Sequence, residues 1–346
     1  MCNTKIVMSN KDIYILGIES SCDDTSAAIL KNGVVLSNII ANQNIHKKYG
    51  GVVPELASRA HLSNIIPVID SALKESNVKL KQISAIAFTR GPGLMGSLII
   101  GTEFSKGLGL SLNIPVIDVN HMQAHILVHF INNSNPKPTF PFLGVTVSGG
   151  HTQFILVEDH FKMKILGQTL DDAIGEAFDK CGKKIGLDYP AGPEIDNLAK
   201  EGDEHKFKFP LPNVKNGNIS YSGTKTAFIN FLHKNKLKNK NFIDENLNDI
   251  CASIQKNLID NLLTKIELLS NENNLKTIVF GGGVSANSYL KTRMKNASKI
   301  NNWEVYIPKL EYSTDNAAMI GIVGHLKYKD SIKSSLTSTP SPRLTF

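Results

Sequence analysis

The chain has 346 residues, 41% of them hydrophobic and 20% charged, and its 38 lysines and arginines against 31 aspartates and glutamates leave a net charge of +7. That length exceeds what one ordinary core needs and predicts two domains, while the positive balance favours a polyanionic partner without requiring one. Cys2, Cys22, Cys181 and Cys251 are widely spaced with no Cys-x-x-Cys pair, which excludes a zinc ribbon and a disulfide framework and suits a reducing cytosol.

In chain order, the segment through Lys11 is polar with no apolar h-region, and Glu103 and Lys106 break the apolar run around 98–112, so neither export nor a membrane span is expected. ILGIESSCDDTSAAILKNGVVLSNI alternates short apolar runs with turn residues and predicts three strands, with a hairpin near Asn32-Gly33. Asp23 and Asp24, at the first strand-to-strand turn, could hold a cation, orient a nucleophile, or form a solvated corner. From Pro54 to Ser76, Leu62, Ile65, Ile66, Ile69 and Leu73 recur with the period of an amphipathic helix that Pro67 kinks. That face should meet a sheet or a partner.

His121-Met122-Gln123-Ala124-His125 sets two imidazoles at i and i+4 of a predicted helix, where both can reach one divalent cation, and Asp315 far downstream could complete the set. The zinc-peptidase pattern His-Glu-x-x-His is absent, because Met122, Gln123 and Ala124 supply no glutamate general base. His129 extends the same face by another turn, and a satisfied histidine pair is the alternative to a metal site.

The polar, proline-punctuated stretch 132–138 predicts a connector and places the lobe boundary there. Beyond it, FLGVTVSGGHTQFILVEDHFKMKILGQT repeats the strand, turn, strand, turn, strand order with Gly144 as the counterpart of Gly17, which reads as an internal duplication. Three glycine turns follow predicted strands: Gly91-Pro92-Gly93, Ser148-Gly149-Gly150-His151, and Gly281-Gly282-Gly283 before a helix starting near Ser285. Their bare amides could approach phosphate oxygens, although none matches Walker A or Gly-x-Gly-x-x-Gly.

In TLDDAIGEAFDKCGKKIGL, Asp172, Glu176 and Asp179 fall at i, i+4 and i+7, an acidic helical face that could bind ribose hydroxyls or lie in solvent. The lysine-rich run 233–240 would suit RNA phosphates or be plain surface. A second long helix is expected over 244–269, with Leu247, Cys251, Ile254, Leu258 and Leu262 on one side, and the Ser/Thr/Pro-rich tail 327–346 is expected to be mobile.

The motifs GIESSCDDT, GGVVPELASRAH, GPGLMGSL, HMQAH, VSGGHTQ, GEAFDK, GLDYPAGP, SYSGTKTA, GGGVSAN and STDNAAMI follow one another along nearly the whole chain. In that order they resemble the bacterial TsaD family, the tRNA adenosine threonylcarbamoyltransferases related to archaeal and eukaryotic Kae proteins. The resemblance implies the actin-like, Hsp70-like ATPase fold, an α/β architecture of two duplicated lobes around a cleft. The first lobe would be 1–134, joined by a C-terminal helix near 315–328, the second 135–314, and 329–346 a flexible tail.

By the same resemblance, His121, His125 and Asp315 bind one divalent cation, Fe2+ or Zn2+, leaving open positions for substrate. The implied substrate is threonylcarbamoyl-AMP, contacted by Val147, Ser148, Gly149, Gly150 and His151, with Asp179 and Asp196 on its ribose and Gly192 and Asn287 also in the nucleotide pocket. ATP, ADP or Mg2+ could occupy the same cleft. The implied reaction carries the threonylcarbamoyl group to N6 of adenosine 37, just 3′ of the anticodon, in tRNAs reading codons that begin with A, and releases AMP. Asp24, or Asp23 beside it, is expected to orient or deprotonate the amine. Expected partners are the tRNA anticodon loop, a TsaB-like paralogue on the first lobe and a TsaE-like ATPase, in the cytoplasm and without a membrane. His129 and Arg90 stand out as departures. A small-molecule kinase of the same fold would need no histidine pair, and a non-enzymatic scaffold would use only the face of 54–76.

Overall fold

The computed structural model describes residues 12–133, 135–212 and 214–346, so the segment through Lys11 with Cys2, and Ser134 of the connector, lie outside the described residues. The first meander forms β1 (Tyr14–Glu19), β2 (Thr25–Lys31) and β3 (Val34–Ala41) as antiparallel neighbours. Asn32 and Gly33 have φ of 52° and 80°, the pair of left-handed residues that a two-residue type I′ hairpin needs. There follow α1 (Pro54–Ser76), β4 (Ala85–Gly91), α2 (Met95–Leu112), β5 (Val116–Asn120) and α3 (His121–Leu127). Parallel pairing of β4 with β1 and of β5 with β4 gives a five-stranded sheet in the order β3-β2-β1-β4-β5.

The second half repeats this plan with β6 (Phe142–Val147), β7 (Thr152–Asp159) and β8 (Lys162–Gln168) as its meander. Helices α4 (Ile174–Lys184), α5 (Gly192–Leu198), α6 (Ser222–Lys236), α7 (Phe242–Glu245) and α8 (Leu247–Glu272) come next. Then β9 (Thr277–Gly281), α9 (Ser288–Asn301), β10 (Glu304–Tyr306) and α10 (Ala317–Lys329) complete a sheet of order β10-β9-β6-β7-β8. The connectivity is the same in both halves, as the duplication predicted.

Alternation along the strands sorts the side chains into layers. Leu16, Ile29 and Phe88 face outward onto Ile65 and Ile69 of α1, and Val145, Phe154 and Phe280 face outward onto Phe178, Ile254 and Leu258 of the second half. The inward faces, with Ala28 and Ala87 of one sheet and Phe142 and Val279 of the other, share one core with α3 and α10. Each half thus lends the helix after its last strand to the middle layer. The counterpart glycines mark where those helices cross: a Cβ on Gly17 would lie 2.4 Å from Ala317 O of α10, and one on Gly144 would lie 3.1 Å from Ile126 Cδ1 of α3.

Several expectations give way to tertiary packing. α1 buries Ala57, His61, Ile65, Val68, Ile69 and Ala72, while Leu62 and Ile66 of the predicted stripe are 66% and 65% exposed. Two alanines permit close approach, and His61 is accommodated by Thr25 Oγ1 at 2.8 Å and Cys22 O at 3.0 Å. The helix expected over 244–269 begins at Leu247, because α7 is a separate turn ending at Glu245. After β9 the chain first winds as a 3₁₀ turn over Gly283–Ala286, so α9 starts at Ser288 rather than near Ser285.

Beyond Lys329 the tail lies along the first sheet, with Ser334 N donating to Val116 O at 3.0 Å and Ser341 N to Arg90 O at 2.9 Å. Asn132 of the connector is held to the first hairpin, its N–H donating to Gly33 O at 2.8 Å. Among the described residues no helix is long and apolar enough to cross a membrane, and Cys22, Cys181 and Cys251 are free thiols.

Candidate metal centre and substrate cleft

α3 is short and wholly buried, and Asn120 starts it by accepting from Met122 N at 2.9 Å and Gln123 N at 3.2 Å. Its first and fifth residues, His121 and His125, turn their Nε2 atoms to within 3.2 Å of each other. Asp315, immediately before the Asn316 cap of α10, brings Oδ1 to 3.4 Å from His121 Nε2 and 3.2 Å from His125 Nε2. The donors therefore come from matched junctions of the two halves, β5 to α3 and β10 to α10. The three form a group able to hold a metal ion. Bonds of about 2.0–2.2 Å at tetrahedral angles separate donors by about 3.3–3.6 Å, so the residues present fit a divalent cation.

Sequence reasoning missed the support beneath His121. Its Nδ1–H donates to Glu19 Oε2 at 3.1 Å, with Ser21 Oγ also at 3.2 Å, which leaves the Nε2 lone pair for the cluster. Glu19 is fully buried, and accepts from Ser21 N and Thr89 Oγ1, both at 2.5 Å. In a strand of apolar residues a lone glutamate carries no local signal of its partner 102 positions away. Burial opposes charge on the His121 ring, but Glu19 and Asp315 outweigh it and hold its pKa well above the ordinary histidine value. Burial likewise opposes ionisation of Asp315, and the two rings overcome it and hold its carboxyl well below the usual range. A cation entering here displaces the His121 proton, so binding releases a proton.

His129 does not join the group. α3 tightens to a 3₁₀ turn over Val128–Phe130, which swings the ring away to meet Phe280 O at 2.8 Å, and burial lowers its pKa to about 4. His151 does face the cluster: its pKa falls to about 4 through burial and the charges of His121 and His125, so the ring is neutral. Val147 is buried at the end of β6, Ser148 N closes the turn by donating to His151 O at 2.9 Å, and Gly149 and Gly150 are exposed with nothing within 4 Å of a hypothetical Cβ. This turn presents open backbone.

The other two glycine turns are largely filled. A Cβ on Gly91 would lie 1.9 Å from Ser341 O and one on Gly93 2.4 Å from Ser21 O, so the tail and the first loop occupy that turn. Gly281 and Gly282 lie against His125 O and Val147 O, and only Gly283 is free of backbone neighbours.

Of the other expected site residues, Asp24 is half-buried and its Oδ1 accepts from Asn42 Nδ2 at 2.9 Å. Burial first, then the charges of Asp23 and Asp315, raise its pKa to about 7. Asp179 accepts from Ala191 N at 2.8 Å, and burial raises its pKa, while Gly192 opens α5 beside it with space around its Cα. Asp196 accepts from Ser288 N and Ser288 Oγ, each at 2.9 Å, and Asn287 caps α9 by accepting from Leu290 N at 2.8 Å. Each spends part of its capacity on α9, and a carboxylate with four lone-pair sites retains room for a ribose hydroxyl.

The expected acidic face of α4 does not form a unit. Asp172 precedes the helix and pairs with Lys225 at 2.6 Å and Lys180 at 2.5 Å, and Glu176 also pairs with Lys180. Sequence reasoning also missed Tyr189, whose phenol is pushed up to about 12 by burial and by the carboxylates of Asp23 and Asp179.

The sequence model of the family described as "TsaD: tRNA N6-adenosine threonylcarbamoyltransferase" matches residues 34–322. Proteins carrying that name are 55% identical in Christiangramia forsetii over 96% of this chain and 98% of that protein, and 49% identical in Porphyromonas gingivalis over 97% and 99%. Among solved structures, full-length HypF in its phosphate- and nucleotide-bound form superposes with TM-score 0.60 at 14% identity, over 94% of this chain and 48% of that one. Component A of Acidaminococcus fermentans (R)-2-hydroxyglutaryl-CoA dehydratase gives 0.54 at 16% identity over 93% and 100%. These likenesses show the actin-like fold.

Proposed function

Since the chain belongs to the TsaD family, it is a transferase that places threonylcarbamoyl on N6 of adenosine in tRNA, and we propose that it does so at the His121, His125 and Asp315 cluster. The observation that carries the site assignment is the trio of donors 3.2–3.4 Å apart beside the open Gly149-Gly150 turn. His121, His125 and Asp315 would hold one Fe2+ or Zn2+, which when bound supplies Lewis acidity to the carbamoyl carbonyl or the leaving phosphate.

Threonylcarbamoyl-AMP fits this cleft as the donor. Val147 and Ser148 lead into the reacting end, where the exposed amides of Gly149 and Gly150, beside the neutral His151 ring, would stabilise a developing oxyanion. Asp179 and Asp196 would take the ribose, with Gly192 and Asn287 shaping the nucleotide pocket. Adenosine 37 of the anticodon loop, in tRNAs reading codons that begin with A, must leave its stack to enter. Its N6 forms the new C–N bond, the C–O bond to phosphate breaks with the electron pair leaving on AMP, and the N6 proton passes to Asp24, with Asp23 beside it.

A carboxylate is a base only when ionised, so transfer should fall as pH drops through about 7 for Asp24. A cation on Asp315 would offset one of the charges raising that value and draw the inflection down. Asp24→Asn should lose about 100-fold in single-turnover rate and the acid limb with it. A variant that keeps the wild-type pH profile removes Asp24 from the base role.

The first lobe offers a surface for a TsaB-like paralogue. Leu62 and Ile66 of α1 and Met95 and Ile99 of the adjoining α2 are 42–66% exposed, an apolar stripe suited to a helical partner. Leu62→Glu with Ile66→Glu should weaken that heterodimer by at least about 100-fold in calorimetry with the fold retained, and unchanged affinity would move the partner elsewhere. A TsaE-like ATPase, and ATP, ADP or Mg2+ as other occupants, follow from the resemblance alone. Lys234, Lys236, Lys238 and Lys240, exposed at the end of α6, supply a cationic surface for tRNA phosphates.

A further inference from the structure

We infer that the last thirteen residues, 334–346, form a strap that sets the orientation of α3 and with it the histidine pair. The strap begins at the edge strand β5, where Ser334 N donates to Val116 O at 3.0 Å and Ser334 Oγ accepts from Asp118 N at 2.6 Å while donating to the Asp118 carboxylate. It crosses to the end of β4, where Arg90 Nε donates to Thr339 O at 3.0 Å, Ser341 N donates to Arg90 O at 2.9 Å and Gly93 N donates to Pro342 O at 3.2 Å. Arg90 is fixed for this by its ion pair with Asp118 at 3.2 Å. Gly91 is required under the strap, since any Cβ there would overlap Ser341 O at 1.9 Å.

The strap ends on the helix that carries the metal ligands. Asn120 Nδ2 donates to Thr345 O at 3.2 Å, while Asn120 Oδ1 accepts from Met122 N and Gln123 N. An amide has one oxygen and one nitrogen end, so a carbonyl anchoring the nitrogen fixes the oxygen toward the first turn of α3. A second route runs through the same turn: Leu94 N donates to Ser21 O at 2.7 Å, and Ser21 Oγ lies 3.2 Å from His121 Nδ1. Asn120 and the strap are thus positioning elements, acting on the site through α3 and Ser21. The composition of the tail gave no hint of this, because its anchors, backbone and side chain alike, lie more than 200 positions upstream.

The metal arm of the test rests on the proposed role of His121 and His125; the exchange arm does not. Two truncations are compared with the full chain, one ending at Lys333 and one ending at Arg343, which removes only the Asn120 contact and its flanks. In chelator-treated protein, amide exchange at Met122 and Gln123 should become about five-fold faster in both, the factor equivalent to one lost helix cap, with strands β6 and β7 unchanged. Zinc affinity, read by chelator competition, should weaken about ten-fold, as for outer partners of metal ligands. A synthetic peptide of residues 334–346 added in trans should restore both readouts to the longer truncation. Unchanged exchange at those two amides in the shorter truncation overturns the strap, and that variant decides if the longer one does not fold. Zinc binding that survives His121→Ala with His125→Ala overturns the metal site instead and leaves the exchange result standing.

Discussion

Asp315→Ala should empty the metal site and cost at least about 1,000-fold in transfer rate, the equivalent of the several kcal/mol that a bound Lewis acid contributes. Asp315 is the only carboxylate in the group and the only ligand from the second half, with Oδ1 3.2 Å and 3.4 Å from the two rings. Without it two imidazoles remain on one helix face, too few donors to retain a cation against a chelator. The fold should persist, since Glu19 still holds the His121 ring and Asn316 still caps α10. Metal content by plasma mass spectrometry and modified adenosine in digested tRNA give the two readouts. A variant that loses its metal yet keeps transfer within ten-fold of wild type would falsify the catalytic role of the cluster.

Gly281→Ala should damage stability and transfer together. Its Cβ would sit 2.3 Å from His125 O and 2.7 Å from His125 C, backbone atoms that cannot rotate aside. Gly281 ends β9, paired with Thr146 of β6, so the strand is fixed and α3 must move. Overpacking of this kind costs about 3 kcal/mol, which lowers Tm by roughly 5 °C in a chain of this size. Displacing α3, which carries the proposed metal ligands, by about an ångström costs about 100-fold in rate. Calorimetry and single-turnover transfer would check this, and full activity with a normal Tm would show that α3 is less tightly seated than its contacts indicate.

Much of the framework was legible in the sequence because its signals are local. Both meanders, the Asn32-Gly33 turn and the existence of α1 and α8 follow from alternation, turn residues and period. What period could not decide is which of two stripes on α1 faces inward: alanines and a histidine lie against the sheet, and Leu62 and Ile66 face out. The histidine pair was legible from its spacing, but His129 was not separable from it, since the change to a 3₁₀ turn depends on packing under β9. Glu19 and the strap are defined by partners remote in sequence, and no window along the chain contains both members.

α3 and α10, packed into one core between the two sheets, carry the two imidazoles and follow the carboxylate of the proposed site. A rotation of one sheet against the other that shifted these helices would change the gap between the imidazoles and the carboxylate. Gripping an ion and shutting the groove are therefore coupled equilibria, and each must strengthen the other by the same factor.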